Sequence, residues 1–121
     1  MLVCVTTVRS GSGETVDPRF GRCEQFSFVN METGEISHEP NDLAIGAGGV
    51  GAKVSQFLAE RGVKAVVTGQ VGPNAFRVLA AAGIEVYTVG NVTMDDALAG
   101  LREGSLTPVS AATGPARHAG H

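Results

Sequence analysis

The chain has 121 residues, 43% of them hydrophobic, with 12 acidic against 9 basic side chains and a formal net charge of −3. Such a chain is one globular domain able to bury a core, which excludes a disordered polypeptide. The mild acidity excludes binding of nucleic acid through a broad basic face, and no apolar run approaches the roughly 20 residues a membrane helix needs.

Met1-Leu2-Val3-Cys4-Val5 lacks a basic leader and a small-residue cleavage site, so a cytoplasmic chain without a signal peptide is expected. Leu2 to Val8 reads as a strand rich in Val and Thr. Arg9 to Glu14 reads as a flexible loop, continued by Val16-Asp17-Pro18-Arg19-Phe20-Gly21-Arg22-Cys23. A connection this long inside a small domain is often functional. Gln25–Met31 and Ile36–Glu39 read as two strands of a hairpin about the turn Glu32–Glu35, hence antiparallel. The glycine-rich stretch Gly46 to Gly51 opens a helix from about Gly49 to Arg61, with Val50, Val54, Phe57 and Leu58 on one stripe.

Ala65-Val66-Val67 is then a buried strand, Gly69-Gln70-Val71-Gly72 a turn, and Pro73 the first residue of a helix through Ala82. Gly83 ends that helix and Ile84–Val89 is the next strand, which requires parallel pairing. Thr93 caps a last helix that Gly104 ends. From Ser105 the composition turns to Ser, Ala, Gly and Pro, and residues from about Pro108 are expected to form a mobile tail. The order β-β-β-α-β-α-β-α describes an α/β domain over residues 1–105 with a mixed five-stranded sheet, an antiparallel hairpin at one side and a flexible tail over 106–121.

Three features carry chemistry. The turn before Pro73 lies at the carboxyl end of a strand and the amino end of a helix, where orphan N–H groups and the helix dipole favour an anion. Gly46, Gly48 and Gly51 fit G-x-G-x-x-G by letter, but no parallel strand directly precedes them and the next strand ends in Thr68-Gly69-Gln70 without an acid. A dinucleotide site is therefore excluded, and the glycines read either as a second helix start facing a ligand or as plain loop flexibility. Arg19 and Arg22 flank Phe20-Gly21; if this loop meets the two glycine turns, the site offers N–H groups, two guanidinium forks and the thiol of Cys23 to a compact anion.

The cysteines form no metal-binding spacing. Cys4 reads as a small buried hydrophobe, whereas Cys23 lies among polar and charged neighbours in sequence. A two-metal nuclease is excluded because the first and central strands carry no acid. No base is placed to activate Cys23, no Ser/His/Asp set is evident, and an enzyme is not expected. His38 reads as a surface residue, and His118 and His121 in the tail are assigned no function.

Asp17-Pro18-Arg19-Phe20-Gly21-Arg22, Gly48-Gly49-Val50-Gly51, Thr68 to Phe76 (TGQVGPNAF) and Ala82 to Tyr87 follow one another in a known order and spacing. The chain resembles the dinitrogenase iron-molybdenum cofactor biosynthesis proteins, which include NifX-like and NafY-like carriers and the C-terminal domain of NifB. The resemblance covers about residues 1–105. It implies a ribonuclease-H-like three-layer fold and a small carrier for an iron-sulfur or molybdenum-containing cluster or its precursor. The cofactor-binding set expected here is Arg19, Phe20, Gly21, Arg22, Gly48, Gly49, Gly51, Gly69, Gln70, Gly72 and Asn74; Cys23 is the candidate metal ligand on the chemistry of its thiolate, not on the family pattern. Two positions depart from the family pattern: many relatives carry a small apolar residue at Cys23 and asparagine at Gln70. The partner expected is a cluster-synthesis or acceptor protein, or, for a plain interaction domain, an ATPase of the MinD type, with the chain a monomer or weak homodimer. The alternatives are a regulatory module for a phosphorylated small anion and a plain protein-interaction domain.

Overall fold

The computed structural model describes residues 1–11, 13–44 and 49–113. The Val- and Thr-rich opening forms β1 (Leu2–Ser10), which lies at the centre of the sheet. It is followed by β2 (Gly13–Val16), β3 (Gln25–Asn30), β4 (Ile36–Pro40), α1 (Val50–Glu60), β5 (Val63–Thr68), α2 (Pro73–Ala81), β6 (Glu85–Thr88) and α3 (Met94–Glu103). The main path runs β4-β3-β1-β5-β6; β3 and β4 pair antiparallel, and β5 and β6 parallel.

The sheet has six strands rather than the five expected. The additional one is β2, inside the stretch expected to be a flexible loop. It pairs with the end of β1 from Thr7↔Val16 to Ser10↔Gly13. Gly11, at φ 60°, takes the positive torsion that a tight hairpin link requires.

Alternation along the strands sends side chains to two cores. Cys4, Phe26, Phe28, Val66 and Val86 meet Val50, Val54, Leu58 and Leu79 of α1 and α2 on one face. Val3, Val5, Val29, Ala65 and Val67 meet Met94, Ala97 and Leu98 of α3 on the other, giving three layers. Phe57, half-buried, closes the first core against the rings of Phe26 and Phe28 at centroid distances of 5.4 and 6.2 Å. α3 starts as its sequence requires: the Thr93 hydroxyl accepts from Asp96 N at 3.1 Å, and Asp95 and Asp96 occupy the first turn.

Buried polar groups on the sheet are paired. Ser27 Oγ lies 2.7 Å from His38 Nδ1 and 2.8 Å from Thr7 Oγ1, and His38 Nε2 lies 3.9 Å from Glu14 Oε1. The line resembles a catalytic triad, but Ser27 is fully buried and no substrate reaches its hydroxyl. Among the described residues no helix is long and apolar enough to cross a membrane.

Candidate functional site

The connection from β2 to β3 is built on Asp17. Its side chain is 1% exposed and collects four donors at 3.0 Å: Arg19 N, Arg19 Nε, Arg19 Nη2 and Glu24 N. The first of these is an Asx turn, for which Asp-Pro-Arg is suited. Burial alone would raise the Asp17 carboxyl, but hydrogen bonds from the Arg19 side chain, its backbone and Glu24 outweigh that and hold it below the usual carboxylate value. The Asp17 carbonyl accepts from Thr6 Oγ1 at 2.9 Å and from Thr68 Oγ1 at 3.4 Å, tying the loop to the middle of β1 and the end of β5. Asn41 fixes the other half, its Nδ2 donating to Gly21 O and Cys23 O at 3.0 Å each.

Glycine lets this loop approach its neighbours. A Cβ at Gly69 would stand 2.4 Å from Pro18 Cα, and Gln70 N donates to Pro18 O at 2.9 Å. A Cβ at Gly21 would lie 3.2 Å from both N and Cα of Gly51, and one at Gly51 would lie 3.1 Å from Ala75 Cβ. Gly51 is in the first turn of α1 and Ala75 in the first turn of α2, so the two helix amino ends abut with the loop against them. Ser55 Oγ binds the same junction, donating to Gly51 O at 2.7 Å and approaching Ala75 O at 3.3 Å. Neither helix has a side-chain cap or an acid in its first turn, unlike α3. Both amino ends therefore present positive dipole ends that no acid of their own first turns offsets.

Of the residues singled out by sequence, Gly21, Gly51, Gly69, Gln70 and Gly72 are gathered here. Gly49, at φ 73°, is the residue preceding α1, Gly72 holds that place before α2, and Asn74 is exposed in the first turn of α2. Gly48 lies outside the described residues, as do Gly46, His118 and His121. The Arg19 side chain is 63% exposed and its fork is engaged by Asp17. Arg22 is half-buried, with Nη1 3.4 Å from Ala44 O.

Two residues differ from their expected surroundings. Phe20 is buried in the α1/α2 core and anchors the loop there. Cys23, whose sequence neighbours are polar, is only 3% exposed and packs in the same core. Burial and the nearby Asp17 charge push its thiol up to about 12, against a hydrogen bond from Asn41 Nδ2 at 3.7 Å. A neutral thiol at neutral pH is a poor metal ligand. Among the described residues no three His, Cys, Asp or Glu side chains are grouped to hold a metal ion.

Sequence reasoning passed over Asp17 and Asn41 as positioning residues, although Asp-Pro-Arg and Pro-Asn-Asp both carry an Asx signal. It also passed over the turn after β6. Val89, Gly90 and Asn91 face Val16, Pro18, Gly69 and Gln70 across an open cleft of about 300 Å³.

The chain belongs to the dinitrogenase iron-molybdenum cofactor family, which it matches over residues 1–104. The family is associated with biosynthesis or binding of that cofactor. An uncharacterized protein of Methanocaldococcus jannaschii is 35% identical over 94 residues, 75% of this chain and 80% of its own. The apo form of the orange protein from Desulfovibrio gigas superposes with a TM-score of 0.87 at 31% identity, covering 93% of this chain and 96% of that one. The solution structure of a putative NifB protein from Thermotoga gives 0.76 at 32% identity, covering 93% and 97%.

Proposed function

We infer that this protein is a non-catalytic carrier that holds a preassembled, anionic iron-sulfur or molybdenum-sulfur cluster and passes it to an acceptor protein. The observation that carries this is the Gly21–Gly51–Ala75 junction, which sets two uncapped helix amino ends beside the Asp17–Cys23 loop. Main-chain N–H groups there suit cluster sulfides as hydrogen-bond acceptors, and exposed Asn74 and Gln70 edge the same place. The buried thiol of Cys23 supports a cargo held by hydrogen bonds and charge rather than by protein-metal bonds. The three layers and the strand order, with the hairpin at one edge, support a ribonuclease-H-like topology.

The test is anaerobic visible titration with tetrathiomolybdate, and separately with iron and sulfide, for the parent chain and Asn74→Asp. A carboxylate in the first turn of α2 favours the helix but repels an anion. The variant is expected to melt no lower than the parent and to bind the chromophore at least about tenfold more weakly, about 1.4 kcal/mol. Equal binding by both chains would remove the site from the amino end of α2. A parent that binds neither chromophore but does bind phosphate esters would make it a module for phosphorylated anions.

A further inference from the structure

Beyond α3, residues 105–113 stay on the fold. Leu106 lies against Gly100, its Cγ 3.2 Å from where a Cβ would be. Val109 packs on the α1/α2 core, and its N–H donates to Val86 O of β6 at 2.8 Å, occupying part of the sheet edge. Thr113 then meets Val71 reciprocally: Thr113 N donates to Val71 O at 2.9 Å, and Val71 N donates to Thr113 Oγ1 at 3.1 Å. Val71 is fully buried in the turn between Gly69 and Gly72. The family match stops at residue 104, so this strap lies outside it.

We propose that Thr113 is a positioning residue for the cargo site, clamping the Gly69–Gly72 turn onto the amino end of α2; this rests on the site inferred above. Among the described residues the turn is tied inside the family region through the Arg19↔Gln70 bridge, where Gln70 N donates to Pro18 O, and outside it through Thr113 to Val71. Gly69 and Gly72, on either side of Gln70 and Val71, give the turn backbone freedom that ligand binding would otherwise have to remove. Holding them beforehand lowers the ordering cost of binding. Thr113 acts through Val71 and touches no cargo.

The full-length parent, Thr113→Val and Thr113→Ser are compared in two readouts: hydrogen exchange at the Val71 amide, and affinity for tetrathiomolybdate. Thr113→Val keeps shape but removes the oxygen that accepts from Val71. It is expected to speed Val71 exchange and weaken binding roughly three- to tenfold, the range of one neutral hydrogen bond. Thr113→Ser keeps the acceptor and is expected to match the parent in both. Parent binding with unchanged affinity in Thr113→Val would overturn the clamp alone, as would a serine variant as weak as the valine one. A parent that does not bind tetrathiomolybdate at all would take the cargo site down and the clamp with it.

Discussion

Replacing Gly69 by alanine tests the closest main-chain approach in the site. The added methyl would stand 2.4 Å from Pro18 Cα, 2.8 Å from Pro18 Cβ and 2.9 Å from Pro18 O. Carbon atoms pack at about 3.5–4.0 Å, so the loop and turn must part by roughly 1 Å. None of these atoms is the far end of a flexible side chain. That movement breaks the Gln70 N to Pro18 O hydrogen bond and strains the ties from Thr6 and Thr68 to the Asp17 carbonyl. Overpacking costs about 1–3 kcal/mol and the lost hydrogen bond about 1, giving about 3 kcal/mol in total. For a domain of this size that lowers the melting temperature by about 10–15 °C. Urea and thermal unfolding measure it, with Gly90→Ala as control, since nothing lies within 4 Å of a Cβ there. The control is expected to stay within about 0.5 kcal/mol. A Gly69→Ala chain as stable as the control would refute the close-approach argument.

The depressed Asp17 carboxyl makes an acid-sensitive contribution. It is complete above the unfolded value of about 3.9 and is lost as pH falls through the lower folded value. Asp17→Asn is expected to lose about 2–4 kcal/mol at pH 7 and to show less dependence on pH below 4; unfolding curves with the same acid dependence as the parent would contradict this. Cys23, with its thiol pushed up to about 12, is expected to resist a thiol reagent at pH 8 in the native protein and to react once urea unfolds it. Stoichiometric labelling of Cys23 within seconds in buffer, followed by peptide mapping, would show that it opens readily. Thr93→Ala removes the α3 cap and is expected to cost about 1 kcal/mol in denaturant unfolding, with an unchanged tetrathiomolybdate titration because α3 carries no part of the site.

The helices and the parallel strands could be read from sequence because their signals are local. Pro73 opens α2 and Gly83, at φ 76°, follows it, each residue declaring its backbone torsion. The missed strand had a signal too: the letters Gly-Ser at 11–12, between Val8-Arg9-Ser10 and Gly13-Glu14-Thr15-Val16, read as a two-residue hairpin turn. Four residues are short for periodicity, and β2 exists chiefly because the end of β1 offers it a ladder. The burial of Phe20 and Cys23 was hidden for another reason. A loop is expected outside, yet this one turns its apolar side chains inward while Asp17 and Asn41 satisfy its backbone. Sequence shows which residues are polar but not which of them spend their polarity on the chain itself. The same limit hid the pairing of Thr113 with Val71, 42 positions apart.

Where Gly21, Gly51 and Ala75 meet, the closest approaches are made by backbone and the Ala75 methyl, with Val50 Cγ1 and Ser55 Oγ beside them. A larger residue at either glycine would block such a place rather than tune it. Diversification must then proceed from the perimeter, at exposed positions such as Arg19, Gln70 and Asn74. Chains sharing this junction would keep one mode of grip while differing in what they grip and for how long.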